Sequence, residues 1–91
     1  MRVQWTLQAR LDLARLEEFL SPKSARAGAR VVQLLVAAPQ QLLDHPRLGE
    51  RLQNPNNVEL RRLLVDDYEL QYEVLPEGIR VARVFHMREE R

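Results

Sequence analysis

The sequence of 91 residues predicts an α+β fold with the order βααβββ, in which a helical hairpin packs on an antiparallel sheet. Apolar residues recur at helical spacing through residues 7–20 and again through residues 22–38. Three later segments of about eight residues each are rich in β-formers and are separated by turn signals. One strand, two helices and a meander of strands are typical of the α+β class. We expect residues 1–91 to form a single domain, because a chain of this length has room for one modest core.

The first strand and the first helix follow from alternation and periodicity. Val3 and Trp5 alternate with polar residues between Arg2 and Thr6, which predicts a starting or edge strand with Trp5 as a packing anchor. Thr6 can cap a helix, because its hydroxyl can accept a hydrogen bond from an unpaired backbone amide. The helix is predicted from Leu7 to Leu20. Its expected buried stripe is Ala9, Leu13, Leu16 and Leu20, with Asp12, Arg15 and Glu18 away from it.

Ser21-Pro22 predicts the start of the second helix, since Ser is a good cap and Pro is tolerated in the first turn. We expect this helix to run from about Pro22 to Ala38, and Pro39 to end it before a further short turn over residues 40–44. Its expected stripe is Ala25, Ala29, Val32 and Val36, with Gly28 and Leu35 beside it. Residues 45–49 and 53–57 are predicted loops.

The last third of the chain predicts the meander. The expected strands are Val58–Val65, Tyr68–Leu75 and Ile79–His86, joined by turns at residues 66–67 and 76–78. Alternation on the middle strand predicts one buried face and one wet face. The expected buried residues are Tyr68, Leu70, Tyr72 and Val74, and the expected wet residues are Glu69, Gln71 and Glu73. Both tyrosines are interpreted as packing residues whose hydroxyls find partners at the sheet edge.

The composition excludes several classes of function. Without Cys there is no disulfide framework, no Cys-ligated zinc site and no thiol nucleophile. The start of the chain is not a signal peptide, and no apolar stretch approaches the roughly 20 residues that span a bilayer. We therefore expect a cytoplasmic protein with no membrane contact, no metal and no cofactor. The net charge is only +1, so the chain as a whole lacks the strongly basic character of many nucleic-acid-binding proteins. Lys23 is the only lysine, and arginine suits bidentate contact with carboxylate or phosphate.

Several short motifs keep their order and approximate spacing from residue 3 to residue 90, and together they resemble the RelE/ParE toxin superfamily of type II toxin–antitoxin systems. The motifs are Val3-Gln4-Trp5-Thr6 followed by Ala9 and Asp12-Leu13, then Pro46-Arg47-Leu48-Gly49, Glu59-Leu60-Arg61-Arg62-Leu63, Tyr68 with Tyr72, and Arg83-Val84-Phe85-His86-Met87-Arg88. The first helix, the loop and the closing motif are more similar to the ParE-like branch than to the RelE-like branch.

The resemblance implies a toxin that a cognate antitoxin with an acidic or amphipathic tail neutralises. ParE-like members bind and inhibit DNA gyrase, and RelE-like members cleave mRNA in the ribosomal A site. The favoured interpretation is a ParE-like gyrase inhibitor that contacts DNA only through the antitoxin complex. One alternative is a ribosome-dependent mRNA endonuclease, and another is an inactive or degenerate toxin retained as an interaction module.

A metal-free ribonuclease needs groups that take a proton from the 2′-hydroxyl, stabilise the phosphorane and protonate the leaving oxygen. The candidates are Arg61, His86 and Arg88, with Glu59 as a further one. Arg61 and His86 are expected to converge on one sheet surface. Histidine can serve as acid or base near neutral pH. Two features argue against this. RelE-like members typically have a lysine-rich surface, which the chain lacks, and some nuclease members carry Tyr directly after the closing-strand His, where this chain has Met87. We therefore favour a toxin that is not an enzyme, with His86 in a structural or surface role.

The binding interpretation uses a different set of residues. If parts of the two helices remain exposed, they form a groove for an amphipathic antitoxin helix. The candidates for antitoxin or target binding are Leu13, Leu16, Leu20, Arg61, Arg83 and Arg88. Arg61 has a structural alternative, which is pairing with Asp66, Asp67 or Glu73. His45 is given no role.

Overall fold

The computed structural model describes residues 1–89 and places two helices on a five-stranded sheet. Residues 90 and 91, which the predicted domain includes, lie outside the described residues. The elements are β1 (Arg2–Trp5), α1 (Leu7–Leu20), α2 (Ala25–Ala37), a 3-10 helix (Ala38–Leu43), β2 (Glu50–Leu52), β3 (Leu60–Val65), β4 (Tyr68–Leu75) and β5 (Gly78–His86). The strand order is β1-β5-β4-β3-β2, with β1 parallel to β5 and all other pairs antiparallel.

The predicted order of a strand, a helical hairpin and a meander is confirmed, and α1 and β4 have the predicted bounds. The short strand β2 was missed. It contains three residues, two of them charged, between two loop segments, so neither its length nor its composition predicts a strand. It pairs with β3 and extends the sheet by one strand at the edge.

The two helices begin at side-chain caps. The Thr6 hydroxyl accepts a hydrogen bond from the backbone N–H of Ala9 at 3.1 Å, as predicted. The second helix begins at Ala25 rather than Pro22, because the Ser24 hydroxyl accepts from the N–H of Ala27 at 3.1 Å. Ser21, the predicted cap, instead ends α1, where both its N–H and its hydroxyl donate to the carbonyl of Glu17 at 2.8 Å.

The predicted buried stripe of α2 was wrong. Ala25, Ala29 and Val36 are exposed, whereas Gly28 and Leu35 are buried. Gly28 lies against α1, where an added Cβ would stand 2.8 Å from Ser21 Oγ and 3.2 Å from the carbonyl oxygen of Glu17. The close approach of the two helices at Gly28 therefore helps to fix which face of α2 turns inward. Of the larger aliphatic residues on the predicted stripe, Val36 remains outside and Val32 is half-buried.

The core lies between the helices and one face of the sheet. Tyr68, Leu70 and Tyr72 of β4 are buried in it, as predicted, and Val74 is half-buried against it. A bulge opposite Gln71 and Tyr72 leaves Ala82 as the extra residue of β5. Because of this extra residue, both Val81 and Val84 reach the core although they are three positions apart. The core cluster consists of Ala9, Leu16, Leu35, Leu42, Leu63, Tyr68, Leu70, Tyr72, Ile79, Val81 and Val84, with Trp5 packed against it.

Glu69 differs from its predicted exposure, because only 3% of its surface is accessible. Its carboxylate accepts a hydrogen bond from Gln71 Nε2 at 2.7 Å, and its other oxygen lies 3.6 Å from Arg62 Nη1. Arg62 also binds Glu50 of β2 at 2.8 Å. The face of the sheet opposite the helices is therefore covered in part by the paired long side chains of its own strands.

Gly78 joins the first strand to the last, and Gly78→Ala is expected to destabilise the protein by about 2 kcal/mol or more. Gly78 has a φ of +144°, and an added Cβ would overlap the backbone of Arg2, its partner across the β1–β5 pair. For a domain of this size the melting temperature should fall by roughly 8–16 °C. Glu77→Ala, in the same exposed turn, is the control and should change it little. An unchanged melting temperature in Gly78→Ala would contradict this pairing.

Candidate functional site

A groove opens between the C-terminal half of α1 and the adjoining ends of β4 and β5, and it encloses about 610 Å³. Its lining residues are Arg15, Leu16, Phe19, Leu20, Tyr68, His86, Arg88 and Glu89. Leu16 and Tyr68 are buried and form an apolar floor. Phe19 stands at the rim with 70% of its surface exposed. An aromatic side chain this exposed beside an apolar floor is typical of a surface that a partner covers.

The groove exists because α1 is fixed along an open edge of β5. Strand β1 pairs with β5 only as far as Val81, so the backbone of β5 beyond that point lacks a strand partner on this side. Side chains that follow β1 take over its role: the Thr6 hydroxyl donates to the carbonyl of Ala82 at 2.9 Å, and Asp12 Oδ2 accepts from the N–H of Val84 at 2.8 Å. The first helix thereby completes the hydrogen bonding of the sheet edge.

Asp12 was predicted to lie away from the buried stripe, but only 1% of its surface is accessible. Besides Val84, it accepts from Arg83 Nε at 2.9 Å and Arg83 Nη2 at 3.2 Å. Burial raises the pKa of Asp12, but the hydrogen bonds from Arg83 and Val84 and the charge of Arg83 outweigh burial and hold the pKa below its ordinary value. Arg83, a predicted binding residue, is thus engaged inside the protein, and its guanidinium also lies 4.6 Å from the centre of the Phe85 ring.

The chain after β5 folds back and closes one end of the groove. Glu89 Oε1 accepts from the N–H of His86 at 3.0 Å, and Glu89 Oε2 accepts from Arg15 Nη1 at 2.9 Å. His86 Nδ1 accepts from the N–H of Arg88 at 3.1 Å, so the neutral ring carries its proton on Nε2. The His86 ring meets the Tyr68 ring edge-on at 5.2 Å between centroids. These contacts bring His86 and Arg88 to the same groove.

Arg61 lies at the other end of the sheet. It is paired with Tyr72 across β3 and β4, whereas His86 is paired with Tyr68. Four residues along β4 correspond to about 13 Å at roughly 3.3 Å per residue. The prediction that Arg61 and His86 converge was therefore wrong.

The side chain of Arg61 is 14% exposed and engaged within the protein, with Nε on Glu59 Oε2 at 2.8 Å and Nη1 on the carbonyl of Gly49 at 2.7 Å. The expected pairing of Arg61 with Asp66, Asp67 or Glu73 was also wrong. Glu59 stands two positions away on the chain, and Glu73 instead binds Arg80 at 2.9 Å.

Arg61 and Tyr72 together hold the loop over residues 46–49. The Tyr72 hydroxyl donates to the carbonyl of Pro46 at 2.7 Å and accepts from the N–H of Gly49 at 2.9 Å. Burial raises the pKa of Tyr72, more than the hydrogen bond from Gly49 and the charge of Arg61 lower it. Glu59, the further nuclease candidate, binds both Arg61 and Arg47, the latter at 2.9 Å. Tyr72, Arg61 and Glu59 therefore hold the loop over residues 46–49 in place.

Of the predicted site residues, Leu16, Leu20, His86 and Arg88 line the groove. Leu13 is half-buried against the core, and Arg61 and Arg83 are bound elsewhere. The groove also contains four residues that the sequence did not predict as site residues: Arg15, Phe19, Tyr68 and Glu89. A signal for Phe19 exists, because an aromatic residue beside Glu18 on the polar side of a helical stripe is unusual. For Arg15 and Glu89, which are 74 positions apart, the sequence gives no local signal.

Within residues 1–89 no cluster of three or more His, Asp or Glu side chains is placed to hold a metal ion. In the same part of the chain, no helix has the length and apolar character needed to cross a membrane.

Comparison with known proteins identifies relatives over almost the whole length. A family described as the ParE toxin of the type II toxin–antitoxin system parDE matches residues 3–91. The chain is 33% identical over 88 residues to Toxin RelE3 of Caulobacter vibrioides, covering 92% of this chain and 91% of that protein. A solved structure of the chromosomal ParDE TA system from P. aeruginosa aligns with a TM-score of 0.80 over 97% of both chains at 18% identity. The family and fold expected from the sequence motifs are thereby confirmed.

Removal of the Asp12 charge is expected to destabilise the protein by about 2–3 kcal/mol, because Arg83 and the N–H of Val84 lose a buried charged acceptor. Urea unfolding of Asp12→Asn at pH 7 measures this loss. Glu18→Gln, an exposed change on the same helix, is the control and should shift stability by less than about 0.5 kcal/mol.

The contribution of Asp12 also depends on pH. Its pKa is lower in the folded than in the unfolded protein, so the stabilisation is complete above the ordinary value of 3.8. It is lost as the pH falls through the lower folded-state pKa. The stability difference between wild type and Asp12→Asn should therefore shrink as the pH is lowered below 3.8. A difference that stays constant down to pH 2.5 would be inconsistent with a charged Asp12.

Proposed function

Because the chain belongs to the ParE toxin family of type II toxin–antitoxin systems, we propose that it acts by binding and inhibiting DNA gyrase until a cognate antitoxin neutralises it. The position of Arg61 is the observation that carries the choice of a binding mechanism. Arg61 is the strongest candidate for stabilising a phosphorane, but its guanidinium is engaged with Glu59 and Gly49. A ribonuclease would need this cation next to the acid–base group, and His86 lies about 13 Å along the sheet from it.

The antitoxin is proposed to bind in the groove. The floor formed by Leu16 and Tyr68 is apolar, the half-buried Leu20 lies beside it, and Arg15 and Arg88 line the same groove. An amphipathic helix with apolar residues on one face and acidic residues beside them matches this arrangement. Phe19 is suited to be an anchor, because a large exposed aromatic side chain contributes strongly once a partner desolvates it.

One alternative is a ribosome-dependent mRNA endonuclease centred on the groove. His86 carries a proton on Nε2 when neutral, and Arg88 and Arg15 lie in the same groove. The relative from Caulobacter vibrioides carries the name RelE3, which points to the RelE-like branch. In this alternative Arg15 would supply the positive charge that Arg61 cannot.

A second alternative is an inactive toxin that serves as an interaction module, which fits the low net charge of +1.

A supercoiling assay with purified protein tests the proposed target. We expect micromolar wild-type protein to inhibit DNA gyrase, and His86→Ala to inhibit it to within about twofold of wild type, since a binding toxin needs no proton transfer. Induction of either protein without antitoxin should stop growth. Co-expression of the antitoxin should restore growth, and Phe19→Asp should weaken this rescue.

Primer extension on mRNA after induction separates the alternatives. Cleavage in wild type that disappears in His86→Ala, together with unaffected gyrase, would replace the proposal with the endonuclease. Growth that continues normally on induction of wild type at confirmed expression would replace it with the inactive interaction module.

A further inference from the structure

Arg15 is the polar residue that joins the groove to the rest of the fold. Its Nη2 lies 3.4 Å from the carbonyl oxygen of Val84 and 3.6 Å from Asp12 Oδ1, which holds one side of the guanidinium against the protein. Its Nη1 points toward the groove and donates to Glu89 Oε2 at 2.9 Å. The side chain is 46% exposed, so the outer side of the guanidinium remains within reach of a partner.

Glu89 is the acidic residue that occupies this outer side. It comes from the turn after β5, which its own backbone closes through a hydrogen bond from its N–H to the carbonyl of His86 at 3.0 Å. Its side chain is 27% exposed and also accepts a hydrogen bond from the N–H of His86. Glu89 therefore places a carboxylate on Arg15 at the edge of the apolar floor, which is where an acidic residue of a docked amphipathic segment would lie.

We propose that Arg15 is the anchor for a carboxylate of an acidic, amphipathic partner segment, and that Glu89 occupies this anchor in the free protein until the partner replaces it. The inference rests on the proposed function in one respect, which is that the natural partner is the antitoxin. Binding is then an exchange of one carboxylate for another at the same guanidinium, with the turn over residues 86–89 displaced from the groove.

The charges of the groove support an exchange rather than a simple addition. Glu89 is the only acidic residue that lines the groove within the described part of the chain, beside Arg15, Arg88 and His86. When Glu89 leaves, a basic rim faces the apolar side chains of Leu16, Phe19 and Leu20. Exposed ion pairs contribute little to stability, so a partner with apolar contacts can displace Glu89 readily. Asp12 remains within 3.6 Å of Arg15 and keeps the guanidinium in place after the exchange.

The two probes 8-anilinonaphthalene-1-sulfonate and N-phenyl-1-naphthylamine test this exchange on purified full-length protein. They share the aromatic rings, but only the first carries an anionic group that can replace Glu89 at Arg15. We expect Glu89→Gln to bind the sulfonate about two- to fivefold more tightly than wild type, the range for loss of a competing ion pair. Arg15→Gln should bind it more weakly than wild type, and Arg15→Lys should retain part of the affinity. The neutral probe should bind all four proteins alike.

Glu18→Gln is the matched control for Glu89→Gln. It also removes one negative charge, but from an exposed position of α1, the helix that carries Arg15, outside the groove. Equal sulfonate affinity in Glu89→Gln and wild type would overturn the proposal, as would an equal gain in Glu18→Gln, which would reduce the effect to net charge. A gain for the neutral probe would mean that Glu89→Gln merely opens apolar surface. Neither gyrase nor antitoxin is present, so failure of the growth assay and failure of this exchange are separate results.

Discussion

The hydrogen bonds of Asp12 to Val84 and Arg83 determine where the first helix lies, and the remaining features of the groove follow from that position. An unpaired N–H on the edge of β5 would be costly in a buried setting, and the carboxylate satisfies it. The cost of burying Asp12 is offset by the bidentate contact with Arg83. Because the helix is attached at Asp12, its C-terminal half lies beside the ends of β4 and β5, and the space between them is the groove.

The two ends of the sheet use their arginines in opposite ways. At the end near β2, Arg61 and Tyr72 bind the carbonyls and the amide of the loop over residues 46–49. These two side chains are therefore already hydrogen-bonded within the protein. At the end near α1, Arg15 is fixed on one side and open on the other, and Arg88 forms no ion pair within residues 1–89. At the groove end, a partner of opposite charge therefore meets Arg15, which is open on one side, together with Arg88.

Local patterns in the sequence predict the elements well, and long-range pairing explains what they miss. The periods of 3.6 and 2 residues place α1 and β4 correctly, because each element buries one regular face. Asp12 breaks the pattern, since an acid on a helix is read as exposed until its partner, 71 positions away, is known. The inward face of α2 depends on the fit of Gly28 against α1, and the pairing of Arg15 with Glu89 depends on the turn after β5. Neither is encoded in neighbouring residues.

A net charge of +1 is a poor guide to what this surface binds. Several acidic side chains form ion pairs within the protein: Asp12 with Arg83, Glu59 with Arg61 and Glu73 with Arg80. Each such pair cancels in the total, and none of these six side chains lines the groove. The groove itself has two arginines and a histidine against a single glutamate, and that glutamate belongs to the short turn after β5. The chain as a whole is nearly neutral, yet the site that a partner meets becomes basic once Glu89 departs. Local charge, rather than the sum over the chain, therefore decides which partner fits.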